Sequence, residues 1–159
     1  METLAPSKGF KLKLAGKPDT SVIRLARPAT VGVSAQDIPH IRPKLLVKEK
    51  EAVKTGTPLF FDKRDPAIQY LSPGTGTVKQ IRFGARRRLL EVVIALDSMD
   101  DFVEFGPFTS TDLVKLPDQE LIDRLKQGGV WQSLRQLPAR DTADSGTTPP
   151  LIIVCLNGN

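Results

Sequence analysis

A chain of 159 residues with 40% hydrophobic content is long enough for one domain with an extension, or for two small modules. One cysteine and one histidine exclude an internal disulfide, an iron–sulfur ligand set and a Cys/His metal cluster. The net charge of +5 is divided, residues 1–95 carrying +10 and residues 96–159 carrying −5, which points to two differently used surfaces.

The start, METLAPSKGFKLKL, lacks an apolar signal core, and no run approaches the roughly 18 to 20 apolar residues of a membrane span, so a cytosolic chain is expected. KGFKLKLAGKP at 8–18 alternates Phe10, Leu12 and Leu14 against lysines and predicts a short strand. SVIRLARPATVGV at 21–33 is β-rich but broken by Pro28, which favours edge or bulged strands. Pro39 and Pro43 frame an irregular link that holds His40, a loop or strand-end residue rather than a catalytic base.

From Lys44 short strands follow one another. KLLV and TPLFF are strands, with a polar turn between them that points Val53 inward. DKRDPA reads as a wide loop, and IQYLS as a strand ending at Pro73. GTGTVKQI turns into another strand, and RFGARRR is a basic turn before the apolar strand LLEVVIAL at 89–96. This spacing of strands and Gly/Pro turns indicates a small barrel or sandwich. Arginines 86–88 read as a solvated turn; as a phosphate or RNA contact they have only Phe83 nearby for stacking.

Beyond Leu96 the chain turns acidic and helical. LPDQELIDRLKQGG predicts a helix with Asp118 as N-cap, a stripe of Leu121, Ile122 and Leu125, and a stop at Gly128-Gly129. VWQSLRQL predicts a second short helix, with Trp131 and Leu134 sharing a face. After a polar loop, LIIVCL reads as a buried, parallel strand whose neighbours would have to follow it, and Cys155 as a small buried side chain. The expectation is therefore of a piece cut just inside a second domain. Four parts are expected: an N-terminal β segment (1–43) packing on the barrel, the barrel module (44–98), a connector with helices (99–140), and a loop with the first strand of a following domain (141–159).

The stretch from Leu45 to Ile81 resembles the barrel-sandwich module of the biotinyl/lipoyl superfamily, with Val53, Gly56, Pro58, Leu59, Pro73, Gly76 and Val78 in the matching places. Members that act as swinging arms carry a lysine at a tight hairpin tip. Lys63 is the candidate here, but the wide loop predicted at 62–67 would put it on a shoulder, and no Met-Lys-Met or Asp-Lys-Ala triplet surrounds it. The succession KGFKLKLAGKP, HIRPKLLVKEKEAVKTGTPLFFDKRDP, LSPGTGTV, IRFGARRRLLEVVI, GGVWQSLRQLP and LIIVCLN is more specific. It resembles the NqrA family, the A subunits of the bacterial Na+-translocating NADH:quinone reductases, with the C subunit of the Rnf complex as its nearest cousin.

That resemblance implies an α+β fold: a β-rich barrel-sandwich hybrid, short helices, and the start of an α/β domain. It implies the N-terminal part of a peripheral subunit on the cytoplasmic face of the inner membrane. The complex would pass electrons from NADH to quinone and export Na+. Its other subunits would be the partners and would hold FAD, FMN and the iron–sulfur centres. This fragment would be inactive alone and bind no such cofactor, because bulky Trp131 stands where flavin- and NADH-binding cousins have a Gly-rich phosphate loop. No catalytic or metal-ligating residue is assigned. If proteins of this family handle quinone, Val31, Ile38 and Ile41, with the Leu137-Pro138 turn, are the candidate linings; ordinary packing and partner contact are the other reading. The basic front would meet acidic subunits or anionic lipid, and no nucleic-acid partner is expected. The alternative is a carrier or accessory domain of a biotin/lipoyl-type transferase.

Overall fold

Apolar residues on alternate positions, interrupted by Gly, Pro and Asp turns, build two facing antiparallel sheets. The computed structural model describes residues 15–16, 19–106, 109, 112, 115–147 and 149–154. Its strands are β1 (Thr30–Ser34), β2 (Pro43–Leu45), β3 (Ala52–Val53), β4 (Pro58–Asp62), β5 (Asp65–Leu71), β6 (Gly76–Phe83) and β7 (Leu89–Leu96). One sheet runs β1-β7-β6-β3 and the other β2-β4-β5. Leu59, Phe60, Val78, Val92 and Ile94 are fully buried and form the centre of the core. Phe60 stacks on its cross-strand partner Tyr70, ring centroids 4.8 Å apart, which fixes the β4–β5 register. The strands expected between Lys44 and Leu96 are therefore present, and β1 joins them by pairing with β7 from Thr30 to Ser34.

Glycine is required where neighbouring strands come closest and where the chain turns. A Cβ on Gly76 would lie 1.9 Å from the Ala95 carbonyl oxygen of β7. Gly56 has φ +93 and turns the chain between β3 and β4.

Helix α1 (Asp118–Gln127) packs Ile122 and Leu125 against the core. Its N-cap is Pro117 in an extended conformation, so Asp118 is the first helical residue and makes no capping bond, contrary to expectation. The chain leaves α1 through Gly129 at φ +69, where a Cβ would meet Leu71 of β5 at 2.9 Å. The expected second helix is a single 3-10 turn, Trp131–Ser133, followed by a two-residue hairpin pair, β8 (Arg135–Gln136) and β9 (Asp141–Thr142). The reason is Trp131. Its ring is buried and its Nε1–H donates to the Ala143 carbonyl at 2.9 Å, which folds the following chain back instead of letting the helix run on. Leu134 stays exposed and does not share that packing.

The expected strand at 8–18 falls almost wholly outside the described residues, as does Cys155. Residues 21–29 enter no ladder, and Val22, Ile23 and Leu25 are exposed. Pro28 has no N–H to give a ladder, and Arg27 is drawn aside into a two-pronged bond with Asp100. Leu151–Val154 is likewise exposed and in no ladder.

Candidate docking site

The β4–β5 hairpin corrects the sequence reading of Lys63. Asp62 pairs directly with Asp65, so the connection is two residues, Lys63 and Arg64, and Lys63 stands at the tip rather than on a shoulder. Two aspartates close the turn. The Asp62 carboxylate accepts the Arg64 backbone N–H at 3.0 Å, and the Asp65 carboxylate accepts the Ala67 N–H at 3.1 Å. Each is an Asp reaching two residues ahead, the local bond that lets Asp start a turn. Neither Lys63 nor Arg64 has a left-handed φ, and a register irregularity between Phe61 and Asp62 absorbs the twist that such a turn does not supply.

Asp62 is buried and heavily bonded. It takes the Arg64 guanidinium at 2.7 Å and the Arg42 backbone N–H at 3.4 Å. Burial pushes its carboxyl up, but the bonds from Arg64 and Arg42 together outweigh that and hold it below the ordinary carboxylate range. The Lys63 N–H donates in turn to the Arg42 carbonyl at 2.9 Å, so the tip and the residue 42 backbone form one rigid corner. Lys63 itself is exposed.

Beside this corner lies a cleft of about 280 Å³, lined mainly by Ile38, Pro39, Ile41, Pro43 and Leu89, with His40 and Arg88 among its walls. Two of the five candidate residues, Ile38 and Ile41, sit in it. Val31 lies on β1 opposite Ile94, half-buried against the core. Leu137 and Pro138, joined by a cis peptide, form the turn between β8 and β9, and Leu137 is exposed. The structure links this turn to the cleft by a contact that no sequence signal reveals: His40 Nδ1 lies 2.6 Å from Asp141 Oδ1, across 101 positions of chain. His40 and Arg140, on either side of that contact, both hold left-handed backbone (φ 54 and 60).

Three successive backbone donors after α1 are taken up inside the helix end. The N–H groups of Gly128, Gly129 and Val130 donate to the carbonyls of Arg124, Lys126 and Leu125. Backbone donors that are consumed inside a helix end cannot also hold a phosphate. Among the described residues no group of three His, Cys, Asp or Glu side chains could hold a metal ion, and no helix is long and apolar enough to cross a membrane.

Two facing curled sheets with a hairpin at one end define a barrel-sandwich hybrid domain in an α+β chain. Comparison with known families gives the second step. Residues 4–97 match the model described as the NqrA N-terminal barrel-sandwich hybrid domain, and the chain belongs to that family. It is 34% identical over 148 residues to the A subunit of the Na(+)-translocating NADH-quinone reductase of Serratia proteamaculans, covering 92% of this chain and 33% of that protein. The corresponding protein of Pseudomonas aeruginosa strain PAO1 is similar to the same extent, and that of Neisseria gonorrhoeae is 34% identical over 82% of this chain and 29% of its own length. The chain thus spans about a third of the length of these relatives.

Proposed function

We propose that this chain is the barrel-sandwich part of a peripheral subunit of a Na+-translocating NADH:quinone reductase, and that it works by docking within that complex. In this reading the assembled enzyme oxidises NADH, reduces quinone and exports Na+, while partner subunits hold the flavins and iron–sulfur centres. The observation that carries the reading is the continuity of the likeness, which runs past the barrel through α1 and the Trp131 turn at 34% identity over 92% of the chain. The consumed N–H groups after α1 support a docking role over nucleotide binding. Co-expression with the other subunits of the complex tests it. The chain should co-purify with them at the membrane, and its recovery alone in the soluble fraction would end the reading.

Proximity to quinone is the finer part of this proposal. It is favoured by the His40–Asp141 contact, which joins the segment carrying Val31, Ile38 and Ile41 to the turn carrying Leu137 and Pro138. A photoreactive quinone analogue on the assembled complex should label one of these two segments. Labelling confined to other subunits would remove this part and leave the docking role intact.

The hairpin gives the carrier reading one point in its favour, since Lys63 does stand at a tight tip. Its neighbours argue the other way. Asp62 is turned inward and locked to Arg64, so the flanks a modifying ligase would read are bound up in an ion pair. Intact mass from a host with active biotin and lipoyl ligases should show the unmodified chain; an adduct on Lys63 would restore the carrier reading.

A further inference from the structure

The cleft and the corner beside it have the make-up of a specific protein contact: an apolar hollow with cations standing around it. We infer that they form a socket for an acidic protein segment that carries one bulky apolar side chain. The inference rests on the docking role proposed above and names the surface and the chemistry of what binds there.

Three observations support it. The hollow is lined by the apolar side chains of Ile38, Ile41, Pro39, Pro43 and Leu89 together with Gln36, His40 and Arg88, and about 280 Å³ is room for a single large side chain. Around it stand four cations, Arg42, Lys63, Arg88 and Arg140, that take part in none of the ion pairs among the described residues, a property they share with other surface cations such as Lys48, Lys79 and Arg86. Of the neighbouring acids, Asp62 is paired with Arg64, Asp141 is hydrogen-bonded to His40, and Asp37 is the unpaired acid of the 35–43 loop. The third observation is backbone strain. His40 and Arg140 hold left-handed φ values, as do Lys50, Arg86 and Arg87, a cost that persists where surrounding contacts over-determine it.

The cations come from separate pieces of chain that the structure ties together. Lys63 is bonded through its backbone to Arg42, Arg88 lines the hollow with His40, and Arg140 adjoins the Asp141 that His40 holds. A hollow with charges on several loops suits a protein segment better than a bilayer. A lipid surface is flat and rewards cations in one plane or protruding apolar side chains, whereas an apolar pocket ringed by polar groups is the anatomy of an anchor-residue contact.

The test uses the whole chain and a fluorescein-labelled peptide, Glu-Asp-Glu-Trp-Glu-Asp-Glu, followed by anisotropy. The expected result is saturable binding that weakens about tenfold or more when the peptide tryptophan becomes alanine, since a central anchor carries most of such an affinity. Arg88→Glu and Lys63→Glu, both at exposed positions, should each weaken it by a similar factor, and circular dichroism should show both variants folded. No binding, binding indifferent to the tryptophan, or binding indifferent to both reversals would each overturn the inference. So would vesicles of phosphatidylglycerol that bind the chain in place of the peptide with the same sensitivity to the reversals, because the surface would then be a membrane face. Co-purification with the partner subunits separates the two levels of the claim. Assembly unaffected by Arg88→Glu and Lys63→Glu would sink the socket and spare the docking role. If the unaltered chain fails to assemble, the docking role falls and the peptide measurement decides the socket alone.

Discussion

At the scale of single residues, two positions hold the barrel to one geometry. Gly76 begins β6 at the point where it pairs with Leu96 and Val53, and the Ala95 carbonyl occupies the place of its missing side chain. Backbone on both sides leaves nothing flexible to give way, so Gly76→Ala should cost about 3 kcal/mol or more, as forced overpacking does, and a drop in the urea midpoint without a change in slope would show it. Asp62 acts through charge. Its carboxyl is held below its ordinary range in the folded chain, so the unfolded chain takes up the proton first as pH falls. The stability it contributes is complete above the ordinary carboxylate pKa and is lost as pH drops through the depressed folded value, a window that opens at about pH 4 and runs downward. Asp62→Asn should therefore lower the melting temperature at neutral pH, by a stability loss of about 1–3 kcal/mol from its weakened bonds to Arg42 and Arg64, and should flatten the acid side of the stability profile. Parallel acid profiles for the two proteins would show that Asp62 is not the group responsible.

Among elements, α1 and the β8–β9 hairpin hang on the barrel through few contacts, and Trp131 is central to them. Its ring lies under the helix end and its indole N–H reaches Ala143. A second tie runs through Asp65, which takes Ser145 Oγ at 2.5 Å and faces the buried Lys126 ammonium at 3.7 Å. Trp131→Ala should cost about 3–5 kcal/mol, the usual range for emptying a large aromatic site. Hydrogen exchange should show protection lost first over 118–143 while β6 and β7 stay protected; uniform loss across the chain would mean that helix and barrel unfold as one. The same elements mark how far the sequence could be read. Strands β4 to β7 were legible because short apolar, β-branched or aromatic runs stand between Gly and Pro turns. The helix was legible from Ile122 and Leu125 and from its terminal glycines. The 3-10 turn was not, because VWQSLRQL has helical spacing and only the tertiary bond from Trp131 to Ala143 redirects it. The tight hairpin was missed although DKRD carries its signal, two aspartates each placed to bond two residues ahead; Pro66 within the stretch suggested a loop, yet a strand tolerates proline near its first residue. Of the candidate residues, Ile38 and Ile41, named for the quinone role that the resemblance implies, line the cleft. The His40–Asp141 bond that ties them to Leu137 and Pro138 spans 101 positions and leaves no local trace.

For the whole molecule, the division of charge is the property that bears most directly on assembly. Residues 1–95, which include every barrel strand, carry +10, while residues 96–159 carry −5. Many of the acids after Leu96 are spent internally. Asp100 binds Arg27 and Asp101 binds Lys54, which ties the connector to the chain before β1 and after β3, while Glu120 binds Arg124 within α1. Arg42, Lys63, Arg88 and Arg140, near the hairpin tip, are among the cations left over. Such a field steers an acidic partner into place and speeds encounter more than it tightens the final complex. Exposed charges more than about 10 Å apart are largely screened at 0.1 M salt. Association of this chain with its partner subunits should therefore slow by at least about tenfold between roughly 0.05 and 0.5 M salt, with the dissociation rate changing much less. Surface plasmon resonance on the partner subassembly reads both rates. An association rate that does not respond to salt would show that the basic barrel face is not the side that docks, and that the contact is made by the apolar segments at Val22–Leu25 or Leu151–Val154 instead.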